Sequence, residues 1–217
     1  VTLNPGESYW SGKPIMELWS QAIPVTVQLG LMAVLISVIF SIPIGVLTAI
    51  RQDSWVDHVG RVFAISGLSL PDFWLATLVI TFLGLWFHWM PSIIYISPLD
   101  DPWGNFQLFM VPALIMGFRL SASSMRMTRS TMLEVLREDY IRTAWAKGLQ
   151  ERVVVMRHAL KNALIPVLTI LGNELRIVLG GTVVIEVIFG LPGIGRMTYQ
   201  AILARDYLVV QSNIMFI

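Results

Sequence analysis

Hydrophobic residues in this chain fall in long blocks rather than in a short alternating pattern. Four blocks, at about 24–50, 62–89, 108–129 and 163–189, are long enough to cross a bilayer, and a fifth opens at 208 and stops at 217. A spanning helix needs roughly 20 apolar residues, so the closing "LVVQSNIMFI" reads as an incomplete span. Buried helices of soluble proteins seldom stay uncharged over such lengths. The pattern predicts an all-α, polytopic helical membrane protein, with a polar N-terminal segment over 1–23 and a transmembrane domain over 24–217. The longest polar interruption, 130–162, is a loop between two spans.

Composition supports the bilayer as solvent. Hydrophobic residues make up 55% and charged residues 13%, and the mean hydropathy is +0.70, outside the usual range of soluble domains. The net charge of +1 conceals an asymmetry along the chain and gives no reason to expect nucleic acid as a partner. Cysteine is absent, which removes disulfides, thiolate metal sites and a cysteine nucleophile. Val1 opens the chain without the basic, apolar, small-residue order of a signal peptide, so a chain truncated at both ends is expected.

Lys and Arg set the orientation. The connection at 51–61 holds Arg51 and Arg61, and the stretch from Arg126 to Lys161 holds six more Lys and Arg between those two; by the positive-inside rule both are cytoplasmic. The intervening "MPSIIYISPLDDPWGNFQ" has no Lys or Arg and is placed outside, as is 1–23. A cytoplasmic N-terminus would then require one further span upstream.

Within the cytoplasmic loop, Gly148 is the only glycine between Glu134 and Leu160, and no proline occurs there. The pattern predicts an amphipathic helix, a turn at Gly148, and a second helix whose apolar stripe is Val153, Met156 and Leu160. Two readings fit. The helices lie on the inner leaflet with their basic side chains at anionic lipid, or the small residues Thr143, Ala144, Ala146 and Gly148 form a low-relief knob for close packing against another protein.

The stretch "RTAWAKGLQERVVVMRHALKNALIPV" resembles the cytoplasmic loop of permease subunits of binding-protein-dependent ABC importers, in particular the dipeptide, oligopeptide and nickel family. That loop has the form E-A-A, three residues, then G; here Arg142, Thr143, Ala144 and Gly148 stand in those places, with Arg for Glu. "SIPIGVLTAIRQ", "SLPDFWLA" and "VVIEVIFGLPGIGRM" are similar to the family as well. The resemblance implies a type I ABC importer transmembrane-domain architecture. It also implies a cytoplasmic coupling helix, carried here by Arg142, Thr143, Ala144, Ala146, Lys147, Gly148 and Leu149, that docks on a separate ATPase.

Partners implied in the same way are a second homologous permease subunit, two ABC ATPase subunits carrying ATP and Mg, an extracytoplasmic solute-binding protein and the lipid bilayer. The location implied is the bacterial or archaeal cytoplasmic (inner) membrane. The substrate stays open among dipeptides, oligopeptides, glutathione, nickel chelates and sugars. The chain itself is expected to be a transport subunit rather than an enzyme, with no cofactor or metal of its own; no G-x-x-x-x-G-K-[ST] phosphate loop occurs in it.

Ionisable residues at membrane depth are expensive and therefore informative. Asp72, after Pro71, sits where the 62–89 block is expected to break, and serves either as a helix cap or as a pathway residue. Arg119 is central in 108–129, and Glu174 and Arg176 are central in 163–189 but point in different directions on a helix. These four form the candidate translocation pathway. "GLPGIGRM" after Glu186 reads either as an interfacial turn leading into a short helix or as an outer gate made by Glu186, Gly190, Pro192 and Gly193. His58, His88 and His158 are too far apart in topology to build a metal or catalytic site. An ion-coupled secondary transporter using the midplane carboxylates is the alternative from another class.

Overall fold

The computed structural model describes residues 5–216 apart from 93 and 182, with side chains described for all of these except 179–181. Positions 1–4 of the N-terminal segment, 182 inside the 163–189 block and 217 at the end of the last block lie outside the described residues. In chain order the helices are α1 (Ile15–Ile50), α2 (Trp55–Ser69), α3 (Asp72–Phe87), α4 (Pro102–Val135), α5 (Asp139–Ala146), α6 (Glu151–Val153), α7 (Leu160–Gly181), α8 (Val183–Phe189), α9 (Ile194–Ala204) and α10 (Tyr207–Phe216). A π-helical turn, Val154–Ala159, joins α6 to α7. Among the described residues the only β pairing is an isolated bridge between Glu7 and Pro14.

Among the described residues three helical stretches are long and apolar enough to cross a membrane, Ile15–Ile50, Pro102–Val135 and Glu151–Val178, and a fourth is counted if α2 and α3, bent by 103° at their break, are taken as one broken span. Several boundaries differ from the hydrophobic blocks. Helix α1 begins at Ile15 rather than 24, because the mixed, helix-compatible stretch "IMELWSQA" extends it by about two turns before the apolar run. Helix α4 extends the 108–129 block at both ends, to Pro102 and to Val135, so it takes in the first residues of the loop expected at 130–162. Proline is well suited to the first turn of a helix, where the missing N–H would have no partner. The 62–89 block is not one helix: Leu70 (φ −88°, ψ 124°) and Pro71 (φ −66°, ψ 140°) are both extended, which stops α2 and lets α3 start. Proline forces its predecessor out of the helical region, so the break falls at Leu70. The 163–189 block divides into α7 and α8.

The chain forms two compact units, and α1, α4 and α7 each contribute a stretch to both. The first comprises Val1–Met32, Pro71–Ile115 and Leu175–Ile217. Its N-terminal segment is fastened to the turn between α9 and α10, where Ser8 Oγ donates to Asp206 Oδ2 at 2.6 Å and the Trp10 indole donates to the Ala204 carbonyl. Below this, Ile15, Ala201 and Val209 make a small apolar core, and Trp19 Nε1 donates to the fully buried Asn213 at 2.7 Å. The connection between α3 and α4 is pinned by Asn105, which donates to the Ile96 carbonyl at 2.7 Å and accepts from Gln28.

The second unit comprises Ala33–Leu70 and Met116–Glu174. Its helices approach closely where one of them carries glycine. A Cβ on Gly45 of α1 would meet Thr128 Cβ at 2.6 Å, one on Gly67 of α2 would meet Ala122 Cβ at 2.6 Å, and one on Gly117 of α4 would meet Ile36 Cγ2 at 2.6 Å. Small residues at such contacts are the usual means by which helices pack inside lipid, where apolar side chains gain little from leaving hydrocarbon. Phe63 and Phe118 add an edge-to-face contact with centroids 4.8 Å apart.

Candidate functional site

The loop helix α5 lies on the core of the second unit. Ile141 and Ala144, three residues apart, are buried together with Val46, Ala49, Met132, Val154, Val155, Ala159 and Ala163. Its end is a Schellman motif: Gly148 adopts φ +74°, its N–H reaches the Trp145 carbonyl at 2.9 Å, and the Leu149 N–H reaches the Ala144 carbonyl at 3.4 Å. Gly148 is there for its backbone angle, not for space, since nothing stands within 4 Å of where its Cβ would be. Ala144 therefore faces inward and is not on the outer surface of the knob. Arg142, Thr143, Trp145, Ala146, Lys147 and Gly148 make up the exposed face, and Leu149 turns back toward the core.

The second loop helix also differs from the expected stripe. Val154, Val155 and Ala159 are buried, whereas Met156 is 55% exposed. The cause is the π-helical turn over Val154–Ala159, which widens the turn and shifts the register of every side chain after it. Where the end of α4 turns into the start of α5, a groove of about 580 Å³ is lined by Arg129, Glu134, Arg137, Glu138, Asp139 and Arg142, a surface of mixed charge.

Asp57, at the start of α2, is the most heavily bonded carboxylate of this unit and is fully buried. It accepts from Arg129 Nε at 2.7 Å and Arg129 Nη2 at 2.8 Å, from Arg61 Nη2 at 2.6 Å and from the Asp53 amide at 3.0 Å. The fork of Arg129 matches both carboxylate oxygens, the geometry that gives an ion pair its strength and direction. This node ties α4, the helix leading into the loop that carries α5, to the 51–61 connection. Sequence reading overlooked it because Asp57 sits among polar residues in what looked like a simple connector; its only local signal was Arg61 four residues on.

The four membrane-depth residues separate by environment. Glu174 is buried, and both its oxygens lie 3.0 Å from Ser124 Oγ on α4. Arg119 and Arg176 are exposed and Asp72 is half-buried; each of the three has a bonding partner. Asp72 is the first residue of α3 rather than its cap, because Pro71 occupies the capping position. Arg119 and Glu174 belong to the second unit, and Asp72 and Arg176 to the first.

In the first unit, Glu186 on α8 is fully buried and holds the "GLPGIG" turn. Thr26 Oγ1 on α1 donates to Glu186 Oε1 at 2.7 Å and accepts from the Ile194 amide at 2.9 Å, while the Arg196 amide donates to Glu186 Oε2 at 2.9 Å. The carboxyl thus meets the open N–H groups of the first turn of α9, which lacks a side-chain cap of its own. Gly190 (φ +68°) ends α8 with the same glycine device seen at Gly148, and Arg196 closes on its carbonyl. A Cβ on Gly193 would run into all three terminal atoms of the Glu186 carboxyl group. Among the described residues no three His, Asp or Glu side chains come together in a way that would hold a metal ion.

These features define a polytopic helical membrane domain. Its fold is similar to the crystal structure of an amino acid ABC transporter with histidines, at TM-score 0.66 and 16% identity over 93% of this chain and 86% of that one. It is equally similar to an inward-facing structure of the MetNI methionine ABC transporter, at TM-score 0.66 and 17% identity over 92% and 90% of the two chains. Both likenesses concern the type I importer fold. Residues 41–217 match the family model described as binding-protein-dependent transport system inner membrane component.

A putative peptide transport system permease protein of Brucella abortus is 42% identical over 98% of this chain and 68% of its own length. The dipeptide transport system permease protein DppB of Alkalihalophilus pseudofirmus is 38% identical over 98% and 70% of the two chains. The glutathione transport system permease protein GsiC of Pectobacterium atrosepticum is 35% identical over 97% and 66%. The chain belongs to the binding-protein-dependent transport system inner membrane component family of ABC importer permeases.

Proposed function

We propose that this permease moves peptides or related small solutes inward across a bacterial or archaeal cytoplasmic membrane, paired with a second homologous permease subunit. It is driven by two separate ATPase subunits that bind ATP and Mg and dock on α5. The observation that carries the reading is the form of α5: buried on one face by Ile141 and Ala144, sealed by Gly148, and open on the other through Arg142, Thr143, Trp145, Ala146 and Lys147. A helix fixed in this way transmits a push as a rigid body. The peptide, dipeptide and glutathione permeases among its relatives support the solute class, with an extracytoplasmic binding protein supplying the solute.

In this proposal Arg119, Arg176 and Asp72 line the path, Glu174 is withdrawn from it by burial, and the Glu186, Gly190, Pro192 and Gly193 knot closes the outer side. Uptake into proteoliposomes containing the complete assembly tests the reading. Transport should require ATP and stop with vanadate; transport that follows a proton or sodium gradient without ATP would favour the secondary transporter instead. Gly148→Val should leave insertion intact and depress coupled uptake, because a β-branched residue resists the left-handed angle by about 1–2 kcal/mol. Full uptake by that variant would remove α5 as the coupling element.

A further inference from the structure

We propose that a groove in the second unit, between α2 and α4, binds the phosphodiester headgroup of an anionic membrane phospholipid. The groove measures about 490 Å³ and is lined by Arg61, Ala64 and Ile65 from α2 and by Met125, Arg126 and Arg129 from α4. It joins two chemistries that a phospholipid also joins. Ala64, Ile65 and Met125 offer an apolar wall, with Ile65 64% exposed, and three guanidinium groups stand beside it.

The charge balance favours a monoanion. Arg61, Arg126 and Arg129 supply three positive charges, and Asp53 and Asp57, both paired to this cluster, supply two negative ones, leaving a net charge of +1. One phosphodiester neutralises that; a nucleotide polyphosphate would overfill it. Donors remain for the purpose. Arg129 uses Nε and Nη2 on Asp57, which leaves Nη1, and Arg61 uses only Nη2, which leaves Nε and Nη1. Arg126 is exposed and has no hydrogen bond or ion pair among the described residues. Asp57 thus orients two arginines and leaves the third for the ligand.

The position suits a lipid as well. All three arginines lie in the basic regions, 51–61 and 126–161, that face the cytoplasm, where anionic headgroups attract Lys and Arg clusters. The inference rests on the membrane orientation and not on the solute or on docking at α5.

The complete assembly, reconstituted in nanodiscs of phosphatidylcholine with or without added phosphatidylglycerol, provides the test by native mass spectrometry of co-purified lipid. Wild type should retain phosphatidylglycerol selectively. Arg126→Met should weaken retention about fivefold, the factor expected for one basic residue near an anionic headgroup, and Arg126→Lys should restore most of it. Ala64→Trp, which fills the apolar wall and leaves the charges, should weaken it too. Retention by Arg126→Met equal to wild type would overturn the proposal. So would displacement of the lipid by excess inorganic phosphate, which would identify a simple anion site. Efficient cross-linking of Ile65→Cys to the second permease would overturn it as well, because the groove would then be a subunit contact.

Discussion

Gly193 is expected to be replaceable only when Glu186 is removed. Gly193→Ala places a methyl group on the Glu186 carboxyl group, while its own φ of −91° would suit alanine well, so the conflict is one of space alone. To make room the carboxyl must leave Thr26 or the Arg196 amide, and a buried donor stranded in this way costs about 1–3 kcal/mol. Glu186→Ala strands both of these donors, with an expected loss of about 2–6 kcal/mol on the same basis. In the double variant the methyl group occupies space the carboxyl has vacated, so Gly193→Ala should add almost nothing, giving a coupling of about 2 kcal/mol between the two sites. Thermal melts of the purified assembly, followed by the tryptophan fluorescence, measure all four corners of the cycle. If the two losses simply add, or if Gly193→Ala melts like wild type, the steric account of the turn is refuted.

Asp57→Ala should destabilise by about 3 kcal/mol, the low end for breaking a buried pair because Arg61 can turn to water, as read from the same melts. Asp53→Asn, which keeps a side chain suited to the left-handed backbone there (φ +59°) and removes a carboxylate that is 72% exposed, should change the melt by less than about 1 kcal/mol. A cysteine at Gln150 should react with an impermeant maleimide only from the cytoplasmic side, and one at Leu99, 92% exposed, only from outside; reversal of either overturns the orientation. Burial pushes the Asp206 carboxyl up, but the hydrogen bonds from Ser8 and from the backbone of Val209, Tyr9 and Trp10 outweigh it and hold the group below the usual carboxylate range. A depressed folded-state value stabilises above the ordinary carboxylate range, and the contribution disappears as pH falls through the lowered value. The acid limb of the wild-type stability profile should accordingly flatten in Asp206→Asn.

How much of this was readable beforehand varies by element. Gly148 announced its turn because a lone glycine between two helical periods has few other uses, and Pro71 announced a break for an equally local reason. The face of α5 that is buried could not be read, since Tyr140, Ile141, Ala144 and Trp145 offer two plausible stripes and tertiary packing chose Ile141 with Ala144. The π turn at Val154–Ala159 leaves no mark in composition, so a regular helical period carried through it predicts burial for Met156, which the structure exposes. Asp57 needed knowledge of Arg129, 72 residues away, and single-sequence patterns do not carry that. Glu186 was marked as holding the turn, but its partner Thr26 comes from the opposite end of the chain.

The glycine contacts of the second unit have a mechanical meaning. At Gly45, Gly67 and Gly117 backbone meets neighbouring side chain with no soft layer of long side chains between helices. Such a joint has little give: sliding one helix along another by even a fraction of a turn would drive Thr128, Ala122 or Ile36 into main chain. The compliance of the unit is therefore low, much as a dovetailed joint is stiffer than a cushioned one. In the docking role proposed for α5, a load applied there would pass through the helices of this unit nearly undiminished, and enlarging any one of these glycines to alanine should lower coupled uptake before it unfolds the protein.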